Sequence, residues 1–243
     1  MSAREQVVTD CAIPELTPAI YARWRASELG AITERLERKL MCDLIGDVGG
    51  KAVLEIGCGD GEFAVALAER GARVVAIDAS ADMIIAARKR AADRNVDVDF
   101  RVATAQAPPY DDDKFDIVVA MTILCFVKNA APVFQEVARV LRPGGRLIIG
   151  ELGKRSSWAI ERRLRAWLGS RLWRRGVFRT PTELKILAQN AGLVPADVQG
   201  AVYYPRWVWA ARLVAPHDDW LRRRTHIGAA FLALVARRPA KAD

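Results

Sequence analysis

The chain predicts an α/β fold: a mostly parallel sheet with helices on both faces. Three observations carry that expectation. Apolar strand-like runs alternate with helical patterns between residues 51 and 151. Three glycines, Gly57, Gly59 and Gly61, alternate directly after the first of those runs. The chain has 243 residues, 51% of them hydrophobic, enough to bury one sizeable core.

Residues 1–20 contain two prolines and no clear periodicity, and 1–28 read as an N-terminal lead-in or cap. Leu29, Ile32, Leu36, Leu40 and Leu44 then recur at helical spacing, with Glu34, Arg35, Glu37, Arg38 and Lys39 on the other face. That pattern predicts an amphipathic helix ending near Gly49-Gly50. Buried strands are expected at 51–56, 73–77, 98–103, 115–121 and 146–151, and helices at about 62–69, 80–94 and 130–141. LRPGGR, residues 141–146, reads as a helix stop and tight turn. These elements make 29–153 the core.

The rhythm changes after residue 151. A basic, aromatic helix is expected over roughly 156–175, within a segment 154–179. A helix opened by Thr180-Pro181 should run to Gly192, and strand-like stretches at 197–204 and 228–236 complete a C-terminal part, 180–243, with a covering connection between them.

The formal net charge of +8 is uneven: residues 1–150 carry 19 Lys/Arg against 22 Asp/Glu, and residues 151–243 carry 18 against 7. Four cysteines at 11, 42, 58 and 125, with no CxxC pair and only His217 and His226, give no metal cluster and fit free thiols in a reducing compartment. The N-terminus has no signal-type apolar core and no run is long enough to span a bilayer, so the expectation is a cytoplasmic protein.

The glycines ask which ligand lies on them. A dinucleotide loop wants G-x-G-x-x-G, but counting from Gly57 the last slot is Glu62. A triphosphate loop needs a lysine and hydroxyl that are absent, and the carboxylates of Glu55 and Asp60 would repel polyphosphate. A ligand with a cationic portion suits this flank. Asp78 ends the second strand, 17 residues beyond Gly61, and there a carboxylate can accept from both hydroxyls of a ribose. It also stands where a residue opening the next helix would.

E-x-G-x-G-x-G (Glu55 to Gly61), the acid Asp78, FDIVVAM at 115–121 and LRPGGRL at 141–147 resemble the class I S-adenosylmethionine-dependent methyltransferases, in particular the type 11 group, which includes ubiquinone/menaquinone C-methyltransferase-like enzymes. The resemblance covers about residues 50–153, and 178–193 is similar to the family's last helix. It implies a Rossmann-like seven-stranded sheet with an antiparallel last strand, helical lid segments, and S-adenosylmethionine as cofactor. It further implies that Gly57, Cys58, Gly59 and Gly61 pass main chain under the methionine portion, with Glu55 near its ammonium and the backbone at Met121 completing that pocket. Asp78 would bind the ribose, and Ala79 and Met83 would pack on the adenine. Where the family often carries G-D-A, this chain has Ala103-Thr104-Ala105-Gln106, so Thr104, Ala105 and Gln106 are the candidates for the adenine edge.

A methyl on a sulfonium needs mainly an aligned nucleophile, so no catalytic residue is assigned. His226, His217, Tyr21 and Glu151 are candidates for a base, each with packing as the alternative. Cys125, with nothing cationic beside it in sequence, is read as packing. APPY at 107–110 is similar to the [DN]PPY element of N-methyltransferases, but it precedes the fourth strand and lacks the acid or amide.

Ile160, Leu164, Trp167, Leu168 and Leu172 share one helical face ringed by arginines within residues 156–178. That segment is a lid over the acceptor, a contact with an anionic membrane, or ordinary packing. Aromatic residues at 203–220, with Tyr21 and Trp24, suggest a small hydrophobic acceptor, lipid-like in character. An RNA-binding or RNA-methylating protein and a non-catalytic cofactor-binding protein are the alternatives. Nucleic acid is disfavoured, because no RNA module is evident and the arginines alternate with an apolar face.

Overall fold

The computed structural model describes Ile13 and residues 15–240; the remainder of the expected lead-in lies outside the described residues. The first helices are α1 (Pro18–Ala26) and α2 (Glu28–Ile45). Thr17 caps the first by accepting from the Ile20 N–H, and Ser27 caps the second by accepting from Gly30. Helix structure thus starts inside the stretch read as a loose lead-in.

Strands β1 (Ala52–Ile56), β2 (Arg73–Asp78), β3 (Val98–Val102) and β4 (Phe115–Met121) follow, with α3 (Glu62–Glu69) and α4 (Ala81–Asp93) as crossovers. Next come α5 (Ala131–Val140) and β5 (Leu141–Leu152). The expected turn at 141–146 is part of β5: Leu141 pairs with Phe115, and the register shifts before Ile117 pairs with Arg146. All pairs from β3 through β5 are parallel. The central strands read as continuous apolar runs because both faces are covered: Val53, Leu54 and Ile56 are all essentially inaccessible. The edge strand β3, expected to be buried, buries only Phe100 and exposes Asp99, Arg101 and Val102.

After β5 come α6 (Ser157–Trp167), α7 (Arg171–Arg175), α8 (Pro181–Asn190), β6 (Val194–Pro195), β7 (Gln199–Ala201), α9 (Val208–Val214), α10 (Asp218–Arg222) and β8 (Phe231–Arg237). The sheet order is β3-β2-β1-β4-β5-β8-β6, with β7 also on β8. β8 runs antiparallel to β5, as expected for the last strand. Of the stretch expected at 197–204 only β7 is strand, and β6 lies just before it; both are antiparallel to β8. Chain order reverses between β1 and β4. In such sheets, ligands bind outside the carboxyl ends of the strands at that point.

The basic helix expected at 156–175 is broken into two at Gly169, where φ is +101°, and Ser170 caps the second piece. Its two sides pack differently. Trp158 and Ala159 are the buried side, whereas Ile160, Leu164, Trp167 and Leu168 are 53–81% exposed. The apolar stripe faces outward. The connection before β8, expected only as covering chain, is largely helical.

Candidate active site

Two cavities meet at the carboxyl ends of β1, β2 and β4. The first, about 560 Å³, is bounded by Gly57, Gly59, Asp78, Ala79, Met83 and Gln106, with Ala105 and Met121 also on its wall. The second, about 430 Å³, is bounded by Glu55, Cys58 and Asp60 on the loop side. Its opposite wall is Trp24, Phe126, Trp158, Arg162, Trp173 and Arg206. Tyr21, Gly57, Gly59, Met121 and Thr122 border both. Of the cofactor candidates named from the sequence, Gly61 and Thr104 line neither cavity.

The loop after β1 is tied to the end of β2. Gly57 and Cys58 N–H groups donate to the Ile77 carbonyl, and the Gly59 N–H donates to Asp78 Oδ2 at 2.9 Å. Asp78 Oδ1 accepts from the Ser80 N–H at 2.8 Å. Burial raises the Asp78 pKa, and these backbone donors act against the rise. The carboxylate therefore sets the loop as well as facing the cavity, and Ser80, not Asp78, caps α4 by accepting from Met83.

The glycines are not equivalent. A Cβ on Gly59 would meet nothing within 4 Å, at a φ of +54°. A Cβ on Gly61 would lie 2.7 Å from Ala87 Cβ in α4, at a φ of +76°. Gly61 thus does the helix-packing task that sequence spacing denied to position 62.

Asp60 differs from its expected role. It is buried, ion-paired with Arg25 and, at 2.8 Å, with Arg90, so its charge is neutralised. Among the described residues, the carboxyls of this flank without an arginine partner are Glu55 and Asp78. Glu55 is 2% exposed and its Oε2 has no hydrogen-bond partner. Burial, reinforced by Asp78 and Asp60, pushes its pKa up to about 8, so the carboxyl is protonated at neutral pH until a cation arrives.

The base candidates separate clearly. His217 and His226 are exposed and border neither cavity. Glu151 is fully buried off the cavities; its Oε1 accepts from the Leu124 N–H at 2.7 Å, and burial pushes its pKa up to about 7. Arg179, 5% exposed, donates to the Leu124 and Val127 carbonyls from the other side. Together they clamp the loop after β4. Tyr21 alone borders the cavities, and burial raises its pKa, so it is a neutral phenol suited to donating. The Cys125 thiol is buried, donates to the Thr122 carbonyl and is pushed well above the ordinary thiol range by burial. Tyr110 of APPY is buried between β3 and β4 and borders neither cavity.

Sequence reasoning missed Thr122, a β-branched residue held at a φ of +54° where β4 enters both cavities. Its N–H donates to the Gly150 carbonyl at 2.7 Å, which holds the turn. It also missed the arginine-and-tryptophan wall. Its members come from distant stretches, so no local spacing announces them.

A doubly covered α/β sheet with a glycine loop after β1 and an acid ending β2 defines a class of nucleoside-cofactor-binding folds. Residues 54–149 match the family model described as "Methyltransferase domain". The chain is 31% identical over 169 residues to the ubiquinone biosynthesis O-methyltransferase of Aeromonas salmonicida, covering 67% of this chain and 71% of that one. It is 33% identical over 173 residues to the protein of that name from Xanthomonas oryzae pv. oryzae, covering 69% and 72%. The chain belongs to the class I S-adenosylmethionine-dependent methyltransferases, whose acceptors here are implied to be small molecules. Among solved structures, a possible histamine N-methyltransferase from Thermotoga maritima superposes with a TM-score of 0.68 at 22% identity, covering 90% of this chain and 95% of that one. The cyclase SpnF superposes at 0.62 and 23% identity, covering 84% and 80%. Those two likenesses speak for the fold. Among the described residues no helix is long and apolar enough to cross a membrane, and no cluster could hold a metal ion.

Proposed function

We propose that this methyltransferase transfers its methyl group to an oxygen of a small, hydrophobic, aromatic acceptor seated in the tryptophan-lined cavity. The observation that carries the reading is the meeting of the two cavities at Gly57, Gly59, Met121 and Thr122. Oxygen as the target follows the names of the two relatives above.

The residues fit the cofactor. Asp78 accepts well-formed backbone hydrogen bonds from Gly59 and Ser80, one on each oxygen, and a carboxylate with roughly four acceptor directions keeps capacity for ribose hydroxyls. Met83 and Ala79 offer an apolar wall to the adenine, with Ala105 and Gln106 at its edge; Thr104, off the cavity, takes no part. Gly59 lets main chain approach the methionine portion. The orphaned Glu55 Oε2 suits its ammonium. Gly61 supports the loop from behind.

When bound, the cofactor supplies a methyl group already activated by its sulfonium. The chain's own residues have to align the acceptor and keep water out, which contributes up to ~7–11 kcal/mol in favourable cases. Tyr21 stands at the junction as a donor. Trp24, Trp158 and Phe126 line the acceptor's side of it. Labelled S-adenosylmethionine incubated with the enzyme and a lipid extract of the source cells should give an organic-soluble methyl ether. Label found only in RNA or in water-soluble product would sink this reading.

The exposed stripe Ile160, Leu164, Trp167 and Leu168, beside exposed Arg163, Arg171, Arg174 and Arg175, supports peripheral contact with an anionic membrane that holds such an acceptor. The protein should co-sediment with phosphatidylglycerol vesicles and less with phosphatidylcholine vesicles. Trp167→Ser with Leu168→Ser should abolish the difference; unchanged sedimentation of that variant would remove the contact from this face.

A further inference from the structure

The wall of the second cavity is an alternating stack assembled from four stretches of chain. Arg162 lies over the rings of Trp173 and Trp158, 4.6 and 5.1 Å from their centroids. Arg206 lies over Trp158 and Trp24 at 5.0 and 5.7 Å. Trp158 is itself fixed: its indole N–H donates to the Tyr204 carbonyl at 2.7 Å, and its ring meets Trp24 edge-on at 6.1 Å. Two guanidinium groups are therefore held rigidly among aromatic rings and aimed into one cavity.

Cations in so apolar a place normally have carboxylate partners. Here the acids of the cavity are already committed elsewhere. Asp60 pairs with Arg25 and Arg90, Glu34 with Arg38, and Glu62 with Arg38 and Arg90. Burial pushes Glu37 and Glu55 up to about 8, toward their neutral forms, with the Arg162 charge acting against the rise at Glu37. Arg206 has only a long contact with Glu161, at 3.4 Å, and that carboxylate also holds Arg165 at 2.7 Å. Arg162 has no ion-pair partner among the described residues. The Nε atoms of both arginines are shut from solvent and lack hydrogen-bond partners. Burial lowers the Arg162 pKa to about 10, which still leaves it charged at neutral pH.

We propose that Arg162, backed by Arg206, is the acceptor-recognising residue of this enzyme and binds an oxyanion, a carboxylate or a phenolate, carried on the acceptor's aromatic body. This rests on the reading of the second cavity as the acceptor site and adds the charge of its occupant. The geometry suits such a ligand: the guanidinium forks present donors to the oxyanion while Trp24, Trp158 and Trp173 cover the ring. A phenolate in that position is also a ready nucleophile, which removes the need for a protein base.

The test uses the full chain saturated with S-adenosylhomocysteine and reads binding by calorimetry. Two pairs of probes differ mainly in charge: naphthoate against naphthamide, and para-nitrophenol against para-nitroanisole. The anionic member of at least one pair should bind ~10-fold tighter. The naphthoate pair reports the carboxylate source and the nitrophenol pair the phenolate. Arg162→Met should erase the preference while leaving S-adenosylhomocysteine affinity within about twofold, and Arg162→Lys should keep part of it. Should Arg162→Met fail to fold, Arg206→Met reads the same wall and should reduce the preference severalfold. Equal binding within both pairs, or no probe binding at all, overturns the proposal. So does an Arg162→Met variant that loses S-adenosylhomocysteine but keeps the preference, since Arg162 would then serve the cofactor's carboxylate. Failure of the wild-type chain to bind S-adenosylhomocysteine is a different result: it overturns the cofactor reading and takes this inference with it.

Discussion

Asp78→Ala is expected to weaken S-adenosylhomocysteine by roughly 30- to 1,000-fold, corresponding to ~2–4 kcal/mol for two lost charge-assisted hydrogen bonds to the ribose. The structure adds a second consequence. Asp78 accepts from the Gly59 N–H at 2.9 Å, so the variant also leaves that donor unpaired and loosens the loop. A stability loss of ~1–2 kcal/mol should accompany the affinity loss. Asp78→Asn separates the two effects. Its amide oxygen can still accept one of the backbone N–H bonds while the charge is gone, so thermal stability should largely return and affinity should recover only in part. If calorimetry finds Asp78→Ala binding as tightly as the wild type, the ribose does not lie on this carboxylate.

The central strands were legible because they are buried on both faces and therefore appear as apolar runs between turn signals, whereas the edge strand β3 exposes Asp99, Arg101 and Val102. The cofactor loop was legible for a local reason as well: Gly57 to Gly61 and Asp78 belong to adjacent strands, so their spacing along the chain mirrors their spacing in space. The acceptor side had no such mapping. Trp24, Trp158, Trp173 and Arg206 are brought together by packing across the sheet's end, and nothing in their separations along the chain foretells it. Asp60 misled for the same reason, since Arg25 and Arg90 stand 35 and 30 residues away from it. The histidines drew attention by chemistry alone and turned out to be exposed. The apolar face of α6 was found at the right positions, but periodicity shows which residues share a face and not whether that face meets protein or solvent.

Gly61→Val and Gly59→Ala should fail in opposite ways, and their contrast tests the division of labour within the loop. At position 61 a side chain would be forced into a left-handed backbone conformation and against Ala87, 2.7 Å from its Cβ and 3.0 Å from its Cα. The backbone term costs about 1–2 kcal/mol and the overpacking about 1–3 kcal/mol. The helix that must yield is α4, which carries Met83 and is anchored through Arg90 to Asp60. A fall in Tm of roughly 5–15 °C is expected for a chain of this size. At position 59 the added methyl meets no protein atom within 4 Å, so only the backbone term of about 1–2 kcal/mol applies and Tm should drop by a few degrees. That methyl would instead project into the space where the two cavities meet. S-adenosylhomocysteine affinity should fall ~10-fold or more for Gly59→Ala, out of proportion to its stability loss, because a close main-chain approach leaves no room for a side chain. Melting curves and calorimetry on the two purified variants decide the matter. A Gly59→Ala protein with wild-type affinity would move the cofactor off this loop. A Gly61→Val protein with an unchanged Tm would mean that α4 does not rest on the glycine.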